Sequence, residues 1–110
     1  MTVTYSVLFS KTAENAQTTQ YTSANVRTII DKFTATNYTA TAATISVNLV
    51  ANADTADNDN LIVKTKTLQP SETYTFPELV GHALDVGGFI STIAGTATAI
   101  NIRASGRVIS

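Results

Sequence analysis

Apolar residues occupy every second position through Val3, Tyr5, Val7 and Phe9, with Thr4 and Ser6 between them. That alternation sends successive side chains to opposite faces of a β-strand and predicts one apolar face carrying all four. Ile45, Val47 and Leu49 repeat it around Ser46 and Asn48, and Ile100, Ile102 and Ala104 alternate with Asn101, Arg103 and Ser105. Such a pattern belongs to sheets with one dry and one wet face. Less regular strands are expected over residues 17–22, 25–36, 61–68, 73–76 and 89–94, each bounded by polar or Gly/Pro punctuation, which makes about eight strands.

Helix is expected at one place at most. In "PELVGHAL", residues 77–84, Pro77 suits a first helical position, Glu78 complements the positive helix end, and Leu79, Val80 and Ala83 are apolar. Val26, Ile29, Ile30 and Phe33 also fit a helical i, i+3, i+4, i+7 spacing. The β-branched residues in that window and the Thr-rich sequence after it favour strand. Thr itself suits a sheet, because its branched Cβ fits the pleat while its hydroxyl keeps an outer face wettable. Many short strands, no room for crossover helices and no internal repeat predict an all-β fold, a jelly-roll-like β-sandwich, with a closed barrel as the alternative. Turns are expected in "ANADTADNDN", at Pro70 in "QPSET", and in "DVGGF", where Gly87 and Gly88 can take positive φ.

At 110 residues the chain suits one domain spanning 1–110, within which residues 1–20 could act as an arm reaching a neighbouring subunit. The opening "MTVTYSVLFS" lacks a basic stretch and a continuous apolar run, so it reads as a strand and not as a signal peptide. No window is apolar for long enough to span a membrane as a helix. The expectation is a soluble protein made in a cytoplasm, with no membrane partner. A net charge of −1 with 14% charged residues gives no positive field for phosphate, so nucleic acid is not an expected partner. The chain has no Cys, which removes disulfides and thiolate metal sites.

Catalytic chemistry finds little to build on, and no catalytic residue and no cofactor is expected. His82 is the one imidazole, without a second His or any Cys to complete a zinc site. No Ser lies in a G-x-S-x-G elbow, and Ser91 and Ser105 read as ordinary strand residues. Glu72, Glu78 and Asp85 are near in sequence but fall on segments expected to be exposed, not across a cleft. The acidic loop Asp54, Asp57 and Asp59 is a weak candidate for Ca²⁺, since hard oxygen donors are gathered there. Its spacing fails the EF-hand template, and a solvated loop is the simpler reading. Lys64 and Lys66 would blunt a sheet edge. Arg103 and Arg107 could pair with acids of a neighbouring copy or stay solvated.

The order of "VRTIIDKFTATN", "ATISVNLV", "LQPSETYTFPELVGHAL", "DVGGFISTIA" and "ATAINIRASGRVIS" resembles short virion structural proteins of tailed bacteriophages, across residues 21–110. The resemblance implies a β-sandwich resident in the virion: a capsid decoration (cement) protein, or a neck or tail subunit. A decoration protein implies a homo-oligomer, often a trimer, whose partners are copies of itself and the major capsid protein. Outside that class, a carbohydrate- or receptor-binding module would present Tyr21, Tyr38 or Tyr74 for stacking on sugar rings.

Overall fold

A computed structural model describes all residues, Met1–Ser110. Nine strands form: β1 (Val3–Thr12), β2 (Thr18–Thr22), β3 (Arg27–Asn37), β4 (Ala43–Val50), β5 (Leu61–Leu68), β6 (Thr73–Thr75), β7 (Ala83–Leu84), β8 (Phe89–Ala94) and β9 (Ile100–Ile109). Pairing is nested and antiparallel. β4 pairs with β5, β3 with β6 and β7, β2 with β8, and β1 with β9. Folding this long nested hairpin over itself yields one sheet ordered β1-β9-β3-β6, with β7 also on β3, and a second ordered β2-β8-β4-β5. The architecture is an all-β sandwich, as the alternation predicts, and the nested pairing gives it the strand order of a jelly roll.

The dry faces meet in a core of 19 buried apolar residues. An aromatic chain runs through it, with Phe9 edge-on to Phe33 at 5.4 Å, Phe33 to Phe76 at 5.1 Å, and Phe76 to Tyr74 at 4.8 Å between ring centroids. Edge-to-face contacts of this kind add to the stabilisation from burial alone. Two polar clusters bridge the sheets where apolar packing ends. Tyr21 Oη and Ser23 Oγ both bond the buried Thr28 hydroxyl, at 2.8 and 2.9 Å. At the other end of β3, the buried Asn37 amide donates to the Thr41 and Leu68 carbonyls, and its oxygen accepts from the Thr39 amide and hydroxyl.

Three local readings change. Residues 77–84 form no helix; the chain turns there, and Ala83–Leu84 adds a short strand to β3. Gly81 takes a φ of +87°, its N–H donates to the Ile30 carbonyl, and the His82 carbonyl accepts from the Ile30 N–H. Satisfying the buried edge of β3 outweighs the local helix signals of Pro77 and Glu78.

In β1, Val3, Tyr5 and Val7 face solvent while Phe9 is buried, so the four do not share a face. A bulge between Val7 and Phe9 inserts Leu8 and switches the phase. In β4, Asn48 keeps to the wet face yet is buried, because residues 51–60 fold back over it. It donates to the Asp57 carbonyl at 2.9 Å and to Asn60 Oδ1 at 2.8 Å. The turn at Pro70 closes with the Glu72 N–H on the Gln69 carbonyl, and Gly87 takes positive φ while Gly88 does not.

Where the chain leaves β1 for the other sheet, the Glu14 carboxylate accepts from Lys11 Nζ at 2.6 Å and from Gln20 Nε2 at 2.8 Å. The Lys11 bond, then the Gln20 bond, hold its pKa below the ordinary 4.5 against an opposing desolvation. Stabilisation from this group is therefore present above the unfolded value and is lost as pH falls through the lower folded one.

Replacing Phe33 by Ala should cost about 3–5 kcal/mol, read from the urea midpoint, since Phe33 is fully buried between two rings. Glu14→Gln should lower the urea midpoint at pH 7, and the difference from the unaltered chain should shrink as pH falls through the lowered folded-state value.

Candidate interaction surface

Three strands of the first sheet, β1, β9 and β3, present an outer face without any cover. Register sets its composition: Val3 lies opposite Ile109 and then Arg27, Tyr5 opposite Arg107 and then Ile29, Val7 opposite Ser105 and then Lys32. Tyr5 is 79% exposed, Val7 52% and Val3 47%, which makes this the main apolar exposure of the sheet. Thr4, on the opposite face, is exposed as well. The start of β1 therefore overhangs the second sheet, wet on both faces.

A bulge in β3 between Ile30 and Lys32 leaves Asp31 without a cross-strand partner and aims it at β9. Its carboxylate accepts from Arg107 Nε at 3.1 and 3.0 Å and from Arg107 Nη2 at 2.9 Å. These bonds, then the negative charge of Asp31, raise the Arg107 pKa above its ordinary value. Within β9, Gly106 admits no side chain, because a Cβ would run into the Ile29 carbonyl. Tyr5, Val7, Asp31 and Arg107 thus wall an open groove of about 490 Å³. An open groove walled by an exposed ring, a valine and a compensated ion pair suits a contact surface better than a reaction centre.

The other candidate residues go to separate places. Asp57 caps the short 3-10 turn Asn58–Asn60 and accepts from the Asp59 N–H, and Asp54 accepts from the Thr55 N–H. Asp54, Asp57 and Asp59 are all exposed, and no group of three or more His, Cys, Asp or Glu side chains is placed to hold a metal ion. His82 is exposed in the turn before β7. Glu72 accepts from the Gln69 N–H, Glu78 from Tyr74 Oη, and Asp85 lies 3.7 Å from Arg27. Ser91 is buried and bonded to Gln17, and Ser105 lies on the outer face opposite Val7.

Lys64 and Lys66 lie on β5, which is an edge strand. Arg107 finds its acid within its own chain, while Arg103 is exposed on the outer face. Of the tyrosines considered for sugar stacking, Tyr21 bonds Thr28 at one end of β3, and Tyr38, 50% exposed, follows the other end. Tyr74 packs on the core under Lys66, whose Nζ lies 4.3 Å from the ring centroid. Burial, then the hydrogen bond and charge of Glu78, raise the Tyr74 pKa. The three rings share no patch. The most exposed tyrosine, Tyr5, escapes the sequence reading because alternation alone assigns it to the core.

No family model matches the chain, and no curated protein matches it in sequence. Among solved structures, the chain is similar to a chain in "Structure of infectious bursal disease virus Gx strain", with a TM-score of 0.52 and 10% identity. The similarity covers 97% of this chain and 31% of that one, so this chain spans about a third of the length of the chain it matches. At that identity the likeness is one of fold.

Proposed function

We propose that the chain is a non-enzymatic structural protein of a virion, and within that class a decoration protein seated on the outer head lattice of a tailed bacteriophage. The observation that carries the reading is the match of nearly the whole jelly roll to part of a chain in a virus structure. Jelly rolls recur in viral capsid domains, though a fold by itself fixes no role. The sequence resemblance to phage virion proteins supports the same class. The bare outer sheet supports it too: Ser105 opposite Val7, and Thr34 and Thr36 further along β3, add hydroxyls to the face that exposes Val3, Tyr5 and Val7, on rigid strands that lose little freedom when they dock.

The mechanism is adhesive. Each copy binds the assembled lattice and not its dissociated subunits, so occupancy stabilises the shell by linkage. Several weak contacts per oligomer, a trimer or a dimer, act together because the later ones form intramolecularly. The partners are copies of the chain and the major capsid protein, and the location is the virion after synthesis in a host cytoplasm.

Deleting the protein from the phage should give particles that assemble but release DNA sooner on heating or in chelator, measured by dye access to the genome. Adding the purified chain back should restore the lost stability. Particles of unchanged stability would move the protein to the neck or tail.

A further inference from the structure

The outer edges of the two sheets are formed by β1, by β6 with the 2-residue β7, by β2 and by β5, and all but β1 are poor templates for another chain. β6 has 3 residues and β2 has 5 with a bulge. β5 is bulged opposite β4, carries Lys64 and Lys66, and is distorted at Thr65, whose φ is +49°. β1 differs. It has 10 residues, its stretch from Thr2 to Ser10 carries no charge, and its register to β9 is regular from Val3 to Val7. A long, uncharged free edge is what folded proteins avoid leaving open.

The pairing with β9 fixes which backbone groups that edge offers. Thr2 and Ser110 exchange both hydrogen bonds, at 2.9 and 3.0 Å. Antiparallel pairs alternate, so Thr4 and Ser6 also bond inward to β9, and Val3, Tyr5 and Val7 direct their N–H and C=O groups outward. The same three residues project their side chains onto the bare outer face. An antiparallel strand meeting this edge must therefore set its own outward-bonding residues against Val3, Tyr5 and Val7. A second copy of β1 does so when turned about a two-fold axis at Tyr5.

We propose that two copies of this chain pair along the free edges of β1, antiparallel about a two-fold axis at Tyr5, joining their outer sheets into one. In that register Tyr5 faces the second copy's Tyr5 and Val3 faces its Val7, each pair exchanging two backbone bonds. Thr4 faces Ser6 on the opposite face, a pairing that lets the hydroxyls bond. A two-fold axis centred on Val7 would run into the bulge at Leu8, and one centred on Val3 would set Tyr5 against Met1, which lies outside β1. No like charges are opposed: the first charge after the edge is Lys11, held by Glu14, and Arg107 beside it is neutralised by Asp31. The contact is isologous, as self-complementary interfaces are. It deepens the structural reading above by naming the surface between copies, yet it needs no shell to form.

Sedimentation equilibrium of the purified chain should show a monomer–dimer equilibrium. Tyr5→Pro removes an N–H that bonds nothing within the chain, so it should keep the β-sheet circular dichroism and thermal midpoint while weakening self-association about tenfold or more. Because the chain has no Cys, Tyr5→Cys should oxidise to a disulfide-linked dimer, with Tyr38→Cys, exposed at the other end of β3, as the control that does not. A chain that stays monomeric, a trimer, or a dimer indifferent to Tyr5→Pro and no better linked through Tyr5→Cys than through Tyr38→Cys would overturn the pairing. Such a failure leaves restoration of particle stability untouched, and a particle indifferent to the chain leaves the dimer untouched, so the two readings fail separately.

Discussion

Strand β9 is bonded along its whole length to β1 on one side and to β3 on the other, and the outer sheet exists only through that double ladder. Its inward side chains, Ile100, Ile102 and Ala104, are buried under the second sheet, and Gly106 lets β3 pass close enough to bulge. The partners come from opposite ends of the chain, Val3 against Ile109. Closing that span costs more chain entropy than closing any inner pair of the nest, and the inner pairs shorten the path between its ends. The innermost pair, β4 with β5, joins neighbours in sequence, and each further pair encloses the one before.

The elements legible in the sequence are those whose environment is two-sided in a simple way. β9 buries alternate residues through Ala104, and β5 and β8 span the ranges that punctuation marks out. Jelly-roll strand order is legible only as a class, since periodicity says nothing about which strand pairs with which. The failures have local causes. Residues 77–84 carry helix-start chemistry, but the edge of β3 at Ile30 needs a donor and an acceptor, and the turn at Gly81 and His82 supplies them. The run Val7-Leu8-Phe9, three apolar residues together, is the available sign that alternation breaks in β1. Asp31 inside "IIDKF" has no comparable sign, because a bulge that re-aims a carboxylate towards Arg107 depends on register between residues 76 positions apart.

The two outer faces of the sandwich are unequal, and this asymmetry decides how the molecule can sit. Residues 51–60 dress the second sheet, tied down through Asn48, Asp57 and Asn60, and their carboxylates face water. The acidic loop is thereby explained as cover for a buried amide, with Asp57 capping its turn. The first sheet has no such cover, and its exposed valines and tyrosine adjoin an ion pair whose charges cancel. A surface of that kind offers shape and apolar contact more than long-range attraction.

The saturated amide of Asn37 has a consequence for chemical ageing. Deamidation of an asparagine proceeds by attack of the following backbone nitrogen on the side-chain carbonyl carbon, and that nitrogen must be free to approach. Here the Tyr38 N–H is committed to the Ala99 carbonyl at 3.1 Å, and the Asn37 side chain is pinned by four hydrogen bonds. An aspartate formed at this position would set carboxylate oxygens against the Thr41 and Leu68 carbonyls, opposing acceptor to acceptor inside the core. The corner that joins the sheets is thus shielded from the hydrolytic damage that would pry them apart.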